Sequence, residues 1–292
     1  MKNKKFKMSQ FEFNAKKHKS LVSYKTKISD LYDSEEDANE SVKKTNEFLG
    51  ESQEKIFASQ KQAVLIILQG MDTSGKDGII KHVMGGFNPQ GVVVKSFKSP
   101  SKDELKHDFL WRTNLVLPKR GEIAIFNRSY YEEVVVTKIH KEFLNYQGIP
   151  EKLLKDKNFW KNRMQDISEV EEYLTRQGFT ILKFFLHISK EEQRKRLLKR
   201  LENPNKHWKF ELGDIRERGF WDDYQEAYYE CLKGTHQKHA PWYVIPADEK
   251  LNARVIISKI LKETFKDMDL KYPETGLELK KNIEKVKKQL TK

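Results

Sequence analysis

Five short apolar runs stand out in an otherwise polar chain. They are 63–68 (AVLIIL), 91–97 (GVVVKSF), 122–127 (EIAIFN), 180–188 (TILKFFLHI) and 242–245 (WYVI). Each has strand length, and the second is β-branched and bounded by Gly91 and Pro100. Between them the pattern turns helical. A helix is predicted over 46–61, leading into the first strand, and another from Asp77 onward. In 102–117, Leu105, Phe109, Leu110, Val116 and Leu117 recur at near-helical spacing. Strands alternating with helices predict an α/β protein, a parallel sheet covered on both faces. The N-terminal 1–45 are polar, with an acidic patch at Asp33, Glu35, Glu36 and Asp37. They read as an extension of weak helix packed on the outside. Residues 46–268 read as the main domain, and 269–292 as a basic, loosely attached tail.

The junction between the first strand and its helix carries the chemistry. Gly70-Met71-Asp72-Thr73-Ser74-Gly75-Lys76 spells GxxxxGK, followed by Asp77 and Gly78. Strand, glycine loop and helix form the context of a phosphate-binding loop. Backbone N–H groups and the helix N-terminus attract phosphate oxygens, and Lys76 adds a full charge. Two features depart from the usual loop: the Ser/Thr expected after the lysine is Asp77, and Asp72 lies inside the loop. Carboxylates beside phosphate repel it unless a cation intervenes, so these acids predict magnesium.

The third strand runs into Asn127-Arg128-Ser129-Tyr130-Tyr131-Glu132. Phosphate-loop enzymes hold magnesium with a polar residue at such a strand end. Here that place has Asn127, an uncharged oxygen donor, and Asp72, Asp77 or Glu132 would make up the missing charge. Arg128 suits phosphoryl oxygens in the same cleft. The alternative is an ordinary turn with Arg128 on the surface. Further on, Arg194, Lys195, Arg196, Lys199 and Arg200 load a helix with positive charge before Asn203-Pro204-Asn205 breaks it, and Lys206, His207, Trp208 and Lys209 follow. Residues of about 190–220 thus read as a basic lid over phosphates rather than a merely solvated helix. His82, His107 and His140 have no zinc spacing and read as surface or core residues.

Composition narrows the partners. The chain has 292 residues and a net charge of +13, which calls for an anionic partner, although lysines of the two termini account for part of the excess. Cys231 is alone, so neither a disulfide framework nor a cysteine metal cluster is expected. No apolar run is long enough to span a membrane, and the basic N-terminus lacks the apolar stretch of a secretory signal, so a cytoplasmic protein is expected.

These motifs together resemble the polyphosphate kinase 2 family. The segments that carry the resemblance are LQGMDTSGKDG, SFKSPSKDELKHDFLWR, IFNRSYYEEVVV, EEQRKRLLKR, PNKHWKF, WDDYQEAYYECL and APWYVIPAD. The resemblance implies a P-loop kinase fold, three-layer α/β/α and similar to thymidylate kinase, with a helical lid. It implies reversible, magnesium-dependent phosphoryl transfer between inorganic polyphosphate and nucleotides. By resemblance Lys76, Asp72, Asp77 and Arg128 are catalytic, and Asp72, Asp77 and Asn127 hold Mg2+. Gly70, Ser74, Gly75, Lys76, Gly78, Lys81, Arg128, Arg194 and Lys206 are the expected phosphate-chain contacts. Asp103, Asp108, Arg112, Asn127 and Glu132 are expected on the acceptor side. The FNRSYYE form is similar to the third class, whose members phosphorylate both AMP and ADP, with ATP as product and guanine nucleotides as further partners. A homo-oligomer is expected; a nucleic acid or membrane partner is not. One rival is an ATP-dependent nucleotide or nucleoside kinase, whose loop should favour neutral or hydroxyl residues over two acids. The other is a basic nucleic-acid-binding protein, which would need aromatics clustered among basic residues; Trp208 and Phe210 are a single pair.

Overall fold

The computed structural model describes residues 6–29 and 31–291. The first five residues of the expected extension, Asp30 and the last residue of the tail lie outside them. Five parallel strands form one sheet in the order β2-β3-β1-β4-β5, with β1 Ala63–Gln69, β2 Val92–Ser96, β3 Ile123–Asn127, β4 Phe179–His187 and β5 Trp242–Pro246. The helices are α1 Glu35–Ser59, α2 Lys76–Val83, α3 Trp111–Asn114, α4 Glu132–Ile139, α5 Glu151–Leu154, α6 Phe159–Arg176, α7 Lys190–Leu201, α8 Leu212–Gly219, α9 Trp221–Thr235, α10 Lys250–Asp267 and α11 Leu277–Leu290. On one face α10 packs against α1, α2 and β5; on the other α9 packs against α4 and α6, and α6 also meets β4. This is the expected three-layer α/β/α arrangement.

Burial follows the apolar runs. Every residue of β1, β3 and β5 is buried, whereas the edge strand β2 is half-exposed or exposed throughout. With β1 flanked by β3 and β4, the chain leaving β1 enters the crevice at the carboxyl edge of the sheet, where ligands of such sheets bind.

Three segments differ from the sequence reading. The N-terminal segment is not simply packed on the outside: Phe11, Phe13 and Leu21 belong to the core. It hydrogen-bonds along β5, Phe13 N–H to Trp242 O at 2.8 Å and Val244 N–H to Phe11 O at 2.7 Å, and so covers a sheet edge. Helix α1 starts at Glu35, well before the predicted Asn46, because Ser34 caps it by accepting from Asp37 N–H. The acidic patch then lies at the positive end of the helix, where carboxylates stabilise it. The predicted helix over 102–117 is instead a 3-10 turn at Glu104–Lys106 and the four-residue α3. Ser101 and Glu104 bond each other's backbone N–H, and the Asp108 carboxylate takes the N–H of Leu110. Side chains that capture local N–H groups compete with a continuous helix. The basic tail forms α11, which buries none of its residues; the segment before it is tethered by the Tyr272 hydroxyl donating to Glu54 at 2.9 Å.

Candidate active site

The loop between β1 and α2 closes on its own lysine. Gly70 has φ +147°, and a Cβ there would lie 2.7 Å from Leu186 O, so both the angle and the space demand glycine. Gly75, at φ +110°, turns the chain into α2. Lys76 is 8% exposed and donates to Gly70 O at 2.8 Å and Met71 O at 3.3 Å. The hydroxyls of Thr73 and Ser74 are buried and have no hydrogen-bond partner among the described residues. Unpartnered donors in a curled loop beside a buried ammonium suit phosphate oxygens.

Burial, aided by Arg128, lowers the Lys76 pKa to about 8, against the pull of Asp72, Glu132 and Asp77. Lys76 is therefore charged below about pH 8 in the free protein and loses its charge as pH rises further. A bound polyanion favours the charged form. kcat/KM for the anionic donor should therefore fall above about pH 8, by up to about tenfold per pH unit, while kcat falls less. A pH profile of wild type and Lys76→Arg checks this: the falling limb should leave the accessible range in the arginine variant, and its persistence there would clear Lys76.

The carboxylates and cations are interlocked. Arg128 Nη2 is 2.6 Å from Asp72 Oδ1, and its Nη1 is 3.6 Å from Glu132 Oε2. Glu132 chiefly, and also Asp72, hold the guanidinium charged against the cost of burial. Arg128 sits at φ +64°, a conformation costly for a non-glycine residue, and its N–H donates to Leu68 O at 3.0 Å. That turn aims the side chain across the loop. Asn127 Nδ2 donates to Asp77 Oδ1 at 2.8 Å, and Lys209 Nζ reaches Asp77 Oδ2 at 3.2 Å. Burial pushes Asp77 up, but these two contacts outweigh it and hold the carboxyl below its ordinary range.

Among the described residues no three His, Cys, Asp or Glu side chains form a metal-binding group. Magnesium does not require one; it is commonly held by one or two carboxylates together with substrate phosphates and waters. Asp72 and Asp77 at the two ends of the loop, with Asn127 beside Asp77, have the oxygen chemistry for this.

A cavity of about 510 Å³ opens from the loop, with Gly70, Asp72, Arg128 and Glu132 at one end. Arg112, Glu133 and Gln147 also line it, as do Asp214 and Glu217 of α8 and Tyr224 of α9. The Arg112 guanidinium donates to Lys98 O at 2.7 Å and lies 3.4 Å from Glu133. Burial pushes the Glu133 carboxyl up, and Arg112 and Arg163 oppose this.

Other expected site residues stand apart. Asp103 is exposed and pairs with Lys106, and Asp108 is used in its local turn; neither lines the cavity. Arg194 pairs with Glu191 on its own helix, Lys206 is exposed in the lid turn, and Lys81 is exposed at the far end of α2. Gly78 lies in the first turns of α2, just past the loop.

Sequence reasoning treated two residues too simply. Arg196 is not a free lid charge: it donates to Thr73 O and Ser74 O at 3.0 Å each and to Ala247 O and Asp248 O at 2.6 and 2.8 Å. It is a strut under the phosphate loop. His140 lines the cavity, with Nε2 2.8 Å from Glu217 Oε2, and Tyr224 donates to the same carboxylate at 2.7 Å. This contact fastens α8 of the lid to the end of α4. No sequence signal could have shown it, because its partners are far apart in the chain.

Comparison with known proteins agrees with this geometry. Residues 32–273 match the family model of Polyphosphate kinase 2. The chain is 45% identical over 288 residues to an ADP-polyphosphate phosphotransferase of Rhodopseudomonas palustris, covering 99% of this chain and all of that one. It is 44% identical over 237 residues to an AMP/ADP-polyphosphate phosphotransferase of Meiothermus ruber, covering 81% and 84% of the two chains. The crystal structure of Polyphosphate Kinase 2 from Arthrobacter aurescens superposes with a TM-score of 0.86 at 35% identity, covering 96% of this chain and 95% of that one. The glycine loop, the strand-end arginine and the full-length similarity together establish that this chain belongs to the polyphosphate kinase 2 family.

Proposed function

We propose that this enzyme transfers phosphoryl groups from inorganic polyphosphate to AMP and ADP, reversibly and with Mg2+, guanine nucleotides being further acceptors. The observation that carries this is the loop itself: buried Thr73 and Ser74 hydroxyls with no partner among the described residues, beside Lys76, with Asp72 of the loop and Arg128 lining the adjoining cavity. The relatives named for ADP and for AMP/ADP as acceptors support the acceptor class.

Phosphoryl transfer needs alignment and charge neutralisation more than covalent help. Loop N–H groups and Lys76 hold the donor phosphates. Arg128 lies where it can follow negative charge as it moves from donor to acceptor. Arg196 keeps the loop in shape from below. Magnesium, held by Asp72 and Asp77, would screen the repulsion between donor and acceptor phosphates. Glu132 lies next to Arg128 and sets how much of the guanidinium is left for phosphate.

The deciding assay incubates purified protein with polyphosphate, Mg2+ and AMP, ADP, GMP or GDP, with products separated. ATP from ADP and ADP from AMP are expected. Conversion of ADP alone would remove the monophosphate acceptor. Transfer from ATP to a nucleoside, with polyphosphate inert, would replace the reading with an ATP-dependent kinase.

The polymer path is proposed over Lys199, Lys206 and Lys250 rather than Arg194. Burial, then the nearby charges of Arg196, Lys199 and Lys206, lower the Lys250 pKa against the pull of Glu192, which marks an excess of cations over carboxylates beside the loop strut. A polyanion seated there releases counterions, so its binding should weaken steeply with salt. Lys199→Glu with Lys206→Glu should raise the polyphosphate KM and flatten its salt slope, leaving the nucleotide KM nearly unchanged. An unchanged slope would place the polymer elsewhere.

A further inference from the structure

Helix α8 is described throughout and buries none of its residues, yet Gly213, Asp214, Arg216 and Glu217 all line the cavity. Its first turn comes close to the phosphate loop: burial, and then the charge of Asp72, push the Asp214 carboxyl above its ordinary range, against Arg200. Its last turn runs into α9, with Phe220 alone between the two helices. A helix with so little burial is held by few contacts and is cheap to displace.

Those contacts divide into two sets. Toward α7, Arg200 donates to Asp214 at 2.8 Å and Arg218 donates to Lys190 O at 2.7 Å. Toward α4 the tie is His140, the residue that ends that helix. Its Nε2 lies 2.8 Å from Glu217 Oε2, and the Tyr224 hydroxyl of α9 donates to the same oxygen at 2.7 Å. One carboxylate oxygen of α8 thus joins α4 and α9. The imidazole is packed by Phe220, edge-on at 5.1 Å, and by Phe143, stacked at 5.3 Å. Two further charged groups are near: Glu142, 3.2 Å from Nδ1, and Arg216, 3.9 Å from the other Glu217 oxygen. His140, Glu217, Phe220 and Tyr224 therefore meet at the joint between α8 and α9.

We propose that His140 is a positioning residue for the acceptor nucleotide: through Glu217 it fixes the bend between α8 and α9 and so holds α8 closed along the cavity. This role rests on the cavity being the acceptor site, as proposed above. Without the His140–Glu217 bond, α8 keeps its ties to α7 and tilts about Phe220, opening the wall that retains the nucleotide. The polymer path over Lys199, Lys206 and Lys250 does not run through this joint. The nucleotide is held less well before and during transfer alike, so the loss appears in its KM rather than in kcat.

The test is steady-state kinetics with ADP and polyphosphate, together with hydrogen exchange of the full-length protein. His140→Ala should raise the ADP KM by about tenfold, the loss of one charge-assisted hydrogen bond, with kcat and the polyphosphate KM nearly unchanged. Backbone amides of 212–219 should exchange faster in this variant, and those of α6 should not. Glu217→Ala, on a helix with no buried residue, should give the same losses, and it decides if His140→Ala does not fold. The double variant should be no worse than either single one, because both act through one bond. His140→Gln, whose amide nitrogen reaches toward the place of Nε2, should recover most of the affinity. An unchanged ADP KM, an equal rise in both KM values, or additive losses in the double variant overturns the proposal; additivity would mean that each side chain touches the nucleotide by itself. Wild-type protein that fails to phosphorylate ADP from polyphosphate would overturn the acceptor reading, and the role of His140 with it.

Discussion

Lys76→Ala is expected to lower turnover by on the order of a hundredfold or more with the fold intact, since it removes a preorganised charge from the transition state. The ammonium is almost wholly buried, and among the described residues its hydrogen bonds run only to the carbonyls of its own loop. Holding a desolvated charge there works against folding, as its lowered pKa shows. The variant should therefore melt at or above the wild-type temperature while losing activity. That combination separates a catalytic role from a structural one. Steady-state kinetics with ADP and polyphosphate, alongside thermal melting, provide the check. A loss below about tenfold would mean that Arg128 and the loop N–H groups neutralise the phosphates without the lysine.

Lys183→Met is expected to have the largest effect on stability. Lys183 is wholly buried in β4, with Nζ 2.5 Å from Glu171, 3.0 Å from the Tyr131 hydroxyl and 2.8 Å from Thr235 O. Glu171 also accepts from Tyr130 at 2.8 Å and Tyr131 at 2.7 Å. Removing the lysine strands a carboxylate in the core, at a cost of about 3–5 kcal/mol. Lys183→Met with Glu171→Met removes both charges and should recover part of that loss in urea unfolding. A double variant less stable than the single would show that the tyrosine hydrogen bonds, not the ion pair, dominate. The network also anchors Tyr130 and Tyr131 between Arg128 and Glu132, so the single variant should lose activity beyond what its unfolded fraction explains.

The parts of the site that could be read in advance are those written contiguously. The loop from Gly70 to Asp77 contains its own glycines, lysine and helix start, so its shape follows from local backbone preferences. Asn127 and Arg128 were legible because they end a buried strand next in the sheet to β1. That Asp103 and Asp108 lie outside the cavity lining was not legible, because an acid in a loop segment has the same composition signal whether it faces a ligand or caps a turn. Arg196 misled for a related reason. A run of arginines and lysines on one helix does not show which of them turns inward, and only packing against the loop and the chain after β5 settles that.

Sequence by itself determined the five strands, the glycine loop between β1 and α2 and the family, because each rests on periodicity or on residues adjacent in the chain. Tertiary structure alone decided the rest: the N-terminal segment along β5, α8 fastened to the end of α4 through Glu217 and His140, and the Lys183–Glu171 network. These depend on groups tens to hundreds of residues apart meeting in a low-dielectric interior. There an unpaired polar atom is costly, so which partners meet is set by how the layers pack, and no local pattern encodes it.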